Sequence, residues 1–166
     1  DEILCVYILE PRIWNASAEP LRMGSIRANF ILQSLSELEN EIKEIGGTIE
    51  FVQGQVLEEI PRLMESYGAD NCYTQKEDAW EETEQERLLA AQINLTLSPG
   101  KGIWEEGDLP FSLNELPAVF SSFRRKVEKK MQIRSLFPSP DRIDCSWKTK
   151  TKLLTLTSLG FEECPN

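Results

Sequence analysis

Seven consecutive apolar residues, from Ile3 to Leu9, follow the opening pair Asp1-Glu2. A run this short cannot cross a membrane. It also lacks the alternation of a strand with one wet face. Its pattern is that of a strand buried on both faces, as in a parallel sheet covered by helices. Glu10-Pro11-Arg12 ends the run, and a loop carrying Trp14 and Pro20 follows. Parallel strands need a crossover between them, usually a helix, so the next segments must alternate in period.

They do. From Ser25 to Ile45 the apolar residues Ile26, Phe30, Ile31, Leu35, Leu38, Ile42 and Ile45 recur every three or four positions, which predicts a helix stopped by Gly46-Gly47. Thr48–Gln53 is a second strand. Val56–Tyr67 is a second helical pattern, stopped by Gly68. Pro61 fits a first turn, so this helix is expected to become regular near Glu58 or Glu59. A third strand is expected at Asn71–Gln75, a third helix from Glu81 to about Gln92, and a fourth strand at Ile93–Leu97. After the Gly- and Pro-rich stretch 98–110, Asn114 is expected to cap a helix with Leu116, Phe120, Phe123 and Val127 on one face. Four strand–helix alternations predict an α/β fold: a doubly wound, mostly parallel sheet with helices on both faces, Rossmann-like or flavodoxin-like. Residues 1–134 are expected to form this domain. Residues 135–166, with little periodicity, are expected to be an irregular connector leading away from it.

Charge narrows the partners. The net charge is −10, which on average repels DNA and anionic membranes. It is unevenly spread: Glu37–Arg87 holds fifteen acids against four bases, and Ser122–Lys152 ten bases against three acids. An acidic body with a basic C-terminal third suits a protein that docks on another. The run Arg124–Lys130 reads as a solvated face or a contact to another domain in preference to a phosphate site. Glu81, Glu82, Glu84 and Glu86 read as a solvated helix face in preference to paired carboxylates.

The chemical inventory is mostly negative. There is no histidine, which removes histidine triads, most zinc sites and the commonest neutral-pH base. Cys5, Cys72, Cys145 and Cys164 form no CxxC; Cys5 and Cys72 lie in apolar runs and read as buried thiols of a reduced, intracellular protein. No glycine-rich phosphate loop and no GxSxG occurs. Trp14, Trp80, Trp104 and Trp147 are scattered and read as packing residues. No catalytic residue and no metal site is expected. On these grounds alone the functions in view are a nucleotide-binding Rossmann-like module and a scaffold. The position of interest is the carboxyl end of the third strand, Lys76-Glu77, because open α/β sheets bind ligands beyond strand carboxyl ends.

Specific segments carry the reading further. Val6–Arg12 is similar to a strand ending in D-P-R. Gly24–Leu38 is similar to a helix with R-x-x-F-L-x-x-S-L-x-x-L. Gly46–Gly54, Glu58–Ala69 and Tyr73–Arg87 match in order a glycine-led passage into a strand, an E-x-x-P-x-L-x-x-x-x-G-A helix, and a strand with K-E before a V-E-R helix. Asp108-Leu-Pro-Phe111 and Leu116–Glu128 closely resemble D-L-P-F followed by L-P-x-V-F-T-x-F-R-K-x-V-E, and Thr155–Gly160 is like the start of a linker. In this order they resemble the N-terminal α/β domain of the photolyase/cryptochrome family, DASH branch, over roughly residues 5 to 160.

The resemblance implies a light-harvesting antenna domain beside a helical domain that holds FAD, a tryptophan electron-transfer chain and most of the DNA groove. The cleft between such domains commonly holds a pterin, methenyltetrahydrofolate, and a glutamate at the strand end contacts it. By residue match that glutamate is Glu77, in Lys76-Glu77. The expected partner is a helical FAD-binding domain or another protein subunit. FAD, nucleic acid and catalysis are not expected on this chain alone. The alternative is a retired antenna domain serving as a docking subunit. The compartment is expected to be a chloroplast or other organelle, or else the cytoplasm or nucleus. Two departures stand out. The family's first strand, W-F-R-x-D-L-R-like and central in the sheet, does not precede Ile3; the opening on Asp1-Glu2 resembles a fragment or a processed end. The span Leu88–Gly107 is also short, with Gly102–Glu105 as the remnant of an aromatic motif that walls the cleft.

Overall fold

The computed structural model describes residues 2–163 except 18, 101, 103–105, 132, 134 and 150. Trp104 and Cys164, named above, lie outside the described residues. The chain divides into two compact units, residues 1–69 with 139–166, and residues 70–138.

The first unit begins with β1 (Cys5–Leu9), crosses over through α1 (Ser25–Glu44), returns as β2 (Ile49–Gln53) and leaves through α2 (Val56–Tyr67). β1 and β2 are parallel, with Cys5 opposite Ile49, Tyr7 opposite Phe51 and Leu9 opposite Gln53. Cys5, Tyr7, Leu9, Ile49 and Phe51 alternate onto one face, and they pack with Ala28, Leu32, Leu35 and Ile42 of α1. The opposite face carries Val6, Ile8, Glu50 and Val52; there α2 approaches, and burial first, then the Glu50 carboxylate, push the Tyr67 phenol up from its ordinary pKa. This pair is therefore covered by a helix on each side, as the alternation predicts.

Both expected glycine stops form. Gly46 has φ +86° and the Gly47 N–H reaches the Ile42 carbonyl at 2.8 Å. Gly68 has φ +65° and the Ala69 N–H reaches the Met64 carbonyl. Each is a left-handed C-terminal turn that a side chain would strain.

Two expectations change in this unit. β1 is half-buried except at Leu9, and among the described residues its one strand partner is β2. α2 begins at Val56, not near Glu58. The Glu10 carboxylate accepts the Val56 N–H at 3.2 Å, and the Glu58 and Glu59 N–H groups close on the Gln55 carbonyl, so the turn before Pro61 is already helical. The segment from Ser139 groups with this unit. It is irregular apart from a 3-10 turn at Thr157–Leu159, yet it buries Leu159 and Phe161 in the same core as Leu9 and Trp14, with Leu153, Leu154 and Leu156 packed alongside. Its Thr151 hydroxyl takes the Phe51 N–H at 3.1 Å, satisfying the outer edge of β2.

Glu10 is a small hub. It is buried, and its second carboxylate oxygen meets the Arg12 guanidinium at 2.6 Å. Glu10→Ala strips a cap from α2 and leaves Arg12 without this partner. A loss of about 2 kcal/mol is expected in chemical denaturation, with Glu10→Gln retaining part of it. Glu50 is the opposite case. It is buried mid-strand, and its Oε2 has no hydrogen-bond partner among the described residues. Glu50→Val removes that acceptor and restores a β-branched strand residue, while Tyr67, only half-buried, can turn its hydroxyl to water. The variant is expected to be more stable by about 1 kcal/mol, read as a higher denaturant midpoint at unchanged slope.

The second unit repeats the motif: β3 (Cys72–Gln75), α3 (Trp80–Ala90) and a parallel β4 (Leu95–Ser98), with Cys72 opposite Leu95 and Gln75 opposite Ser98. Each unit thus holds one parallel pair closed by its own crossover helix. The last expected helix is split. Ser112 and Glu115 form a capping box on a 3-10 turn at Leu113–Glu115, Pro117 prevents continuation, and α4 (Phe120–Lys130) starts afresh. Phe111, Phe120 and Phe123 cluster edge-on and stacked, with the Lys126 ammonium 5.3 Å from the Phe111 ring.

Candidate functional site

The carboxyl end of β3 is built from the backbone outward. The Lys76 N–H donates to the Ser98 carbonyl at 2.9 Å, extending the β3–β4 ladder by one residue. The chain then leaves the sheet, and the Glu77 N–H is taken at 2.7 Å by the Glu86 carboxylate, which reaches back from two turns into α3. The link 76–79 is thus fastened at its first two residues, to the sheet at Lys76 and to α3 at Glu77. Lys76 is exposed and Glu77 half-buried. Asp78 beside them is exposed, and Trp80, the first residue of α3, is 78% exposed.

Glu86 is the residue that sequence reasoning missed. The acidic stretch of α3 was expected to be a uniform solvated face, but Glu81 to Glu86 are all half-buried and the carboxylates are differentiated. Glu84 pairs within the helix, accepting from Arg87 Nε at 2.8 Å and Nη2 at 2.6 Å. The hydrogen bond from Arg87 holds the Glu84 carboxyl below its usual pKa. Glu86 instead braces the loop that presents Glu77. Only the spacing of nine residues across a strand-to-helix turn hints at this, and that spacing is silent without the fold.

A half-exposed carboxylate on a braced loop can accept two donors side by side, as in charge-assisted bidentate pairs. A pterin edge offers ring N–H and amino donors in that arrangement. The Glu77 carboxylate offers two acceptor oxygens to such an edge, and Lys76 is a cationic neighbour. No group of three metal-ligating side chains occurs among the described residues, and among them no helix is long and apolar enough to cross a membrane.

The tryptophans separate by role. Trp14 is core, edge-on to Tyr7 at 6.4 Å. Trp147 is edge-on to Tyr67 at 5.8 Å. Cys5, Cys72 and Cys145 are free and half-buried, and burial pushes the Cys72 thiol up from its ordinary pKa.

Comparison with known proteins agrees with this architecture. The DNA photolyase family model matches residues 1–141. The cryptochrome DASH of Synechocystis sp. is 30% identical over 158 residues, covering 91% of this chain and 32% of the relative. The chloroplastic/mitochondrial cryptochrome DASH of Arabidopsis thaliana is 31% identical over 178 residues, covering 98% of this chain and 30% of the relative. The crystal structure of the Synechocystis cryptochrome superposes with a TM-score of 0.84 at 28% identity, over 99% of this chain and 35% of that one. A class III photolyase from Agrobacterium tumefaciens shares the fold, with a TM-score of 0.72 at 17% identity over 95% of this chain and 32% of that one. The chain spans about a third of the length of these relatives. It belongs to the DNA photolyase family, as an N-terminal α/β domain whose relatives include the DASH cryptochromes.

Proposed function

We propose that this chain is a light-harvesting antenna domain that takes methenyltetrahydrofolate against Glu77, with Lys76 beside it, and that it works within a blue-light flavoprotein for DNA repair or light signalling. The observation that carries the reading is the braced carboxylate: the Glu77 backbone is pinned by Glu86 at 2.7 Å while its side chain stays half-exposed at the end of β3. A bound pterin supplies near-ultraviolet absorption and passes its excitation on. The residues of this chain bind and orient it. The Glu77 carboxylate accepts its donors, the Glu86 bond limits how far the loop can swing, and exposed Trp80 offers apolar surface at the same strand end.

In this reading residues 1–134 are the antenna domain and residues 135–166 lead on toward a helical FAD-binding partner, with the return of 139–163 to the first unit as part of that path. FAD chemistry and duplex recognition belong to the partner. An organellar setting is proposed from the Arabidopsis relative, which is described as chloroplastic/mitochondrial.

The test is a spectrum. Purified protein incubated with methenyltetrahydrofolate and passed through gel filtration should keep near-ultraviolet absorbance from retained pterin. A protein that emerges colourless would overturn the antenna reading.

A second reading, a docking subunit without chromophore, is favoured by the surface around α4. Leu113, Leu116, Val119 and Phe120 are exposed there, beside Arg124, Arg125, Lys129 and Lys130. Apolar groups ringed by bases suit a protein partner with an acidic rim. A colourless protein that forms a salt-sensitive complex through this face would establish that role instead.

A further inference from the structure

An open cavity of about 840 Å³ lies where the loop after β1 meets the start of α1. Met23, a member of the core cluster, lines it together with Leu21, Ile26 and Phe30, which are 54%, 81% and 67% exposed. Ile26 and Phe30 are four positions apart in α1 and so share one side of the helix. Large apolar side chains normally reach the surface singly; three exposed around one cavity mark a place for a partner. Arg22 and Arg27 complete the lining, and both are exposed. Arg27 Nη1 donates to the Arg22 carbonyl at 3.5 Å, which ties the helix to the loop.

Charge selects the partner. Among the described residues no acid lines the cavity, and α1 has no acid in its first turn. Two guanidiniums and the positive end of a helix therefore share one opening. The cavity suits a large apolar side chain carried by an acidic segment, and the chain displays one. Trp80, the first residue of α3, is 78% exposed. Exposed Asp78 precedes it, and half-buried Glu81 and Glu82 follow. Tryptophan is among the side chains that anchor interfaces most strongly, and carboxylates beside it match the two arginines. Cavity and anchor belong to different units of the chain.

We propose that the chain self-associates head to tail: Trp80 of one copy enters the cavity at the start of α1 in a second copy, with Asp78 and Glu81 set against Arg22 and Arg27 there. The contact is heterologous. Each copy offers one anchor and one cavity, so association continues beyond a pair unless a ring closes. Apolar burial of the indole against Leu21, Ile26 and Phe30 supplies the attraction, and the ion pairs at its rim set the register.

The experiment is sedimentation velocity on the full chain under reducing conditions and without pterin, so its outcome is independent of the antenna reading. Between about 5 and about 500 µM the sedimentation coefficient should rise with concentration, and added salt should weaken the rise. Trp80→Ala removes the anchor and Phe30→Asp spoils the cavity. Each should weaken self-association roughly thirtyfold or more with native circular dichroism; Arg27→Glu serves if Phe30→Asp does not fold. The decisive sample is the mixture. Trp80→Ala keeps the cavity and Phe30→Asp keeps the anchor, so together they should form a one-to-one pair that grows no further. A wild-type chain that stays monomeric over the whole range would overturn the proposal. So would self-association unchanged in Trp80→Ala, or two natively folded variants that fail to pair.

Discussion

Phe161→Ala is expected to destabilise the protein by about 3–5 kcal/mol, the usual cost of emptying a buried aromatic site. Phe161 is 5% exposed and belongs to one cluster with Leu9, Trp14, Met23, Leu32 and Phe51. It is brought there by a tight reversal: the 3-10 turn at Thr157–Leu159 ends on Gly160 at φ +82°, and the Phe161 N–H then bonds the Leu156 carbonyl at 3.2 Å. The ring packs in the cluster shared by α1, β1 and β2, so the loss combines transfer and cavity terms. Phe137→Ala is the control. Phe137 is 97% exposed, and its loss should change stability by less than about 0.5 kcal/mol. Urea denaturation followed by circular dichroism reads both. Equal midpoints for the two variants would mean that the C-terminal segment is not part of the core.

That result bears on how far the sequence could be read. The strands, the crossover helices and their glycine stops were legible because hydrophobic period and left-handed turns are local. Gly46 and Gly68 do what their positions predicted. The return of residues 139–163 was not legible. Leu153, Leu154, Leu156, Leu159 and Phe161 follow neither a period of two nor one of 3.6, and the segment is held by backbone and hydroxyl bonds to residues roughly a hundred positions away. Pro117 did announce a break, but the strong face of Leu116, Phe120 and Phe123 suggested one helix across it.

The candidate site divides in the same way. Glu77 was found from the strand end and the resemblance. Its support by Glu86 depends on a tertiary turn, and in the sequence Glu86 is one acid among several. Glu10 and Glu50 show the same ambiguity between otherwise similar residues. One caps a helix, the other leaves an oxygen without a partner among the described residues, and only the surroundings tell them apart.

Glu77→Gln is expected to weaken pterin binding by roughly tenfold to a hundredfold, because hydrogen bonds to a charged group contribute about 1.5–3 kcal/mol each. The amide keeps the size of the side chain but offers one acceptor in place of two and adds a donor facing the donors of the ring. The bond that braces the loop uses the Glu77 backbone N–H, which the substitution leaves in place. A stability change as large as that of Phe161→Ala would mean that Glu77 has a structural role instead.

The most direct test is an equilibrium titration of the purified chain with methenyltetrahydrofolate, followed by pterin fluorescence, for the wild type and Glu77→Gln side by side. The expected result is saturable one-to-one binding by the wild type, weakened at least tenfold in the variant at unchanged stability. Equal affinities, or no saturable binding by the wild type, would contradict the assignment of Glu77 as the carboxylate that holds the pterin.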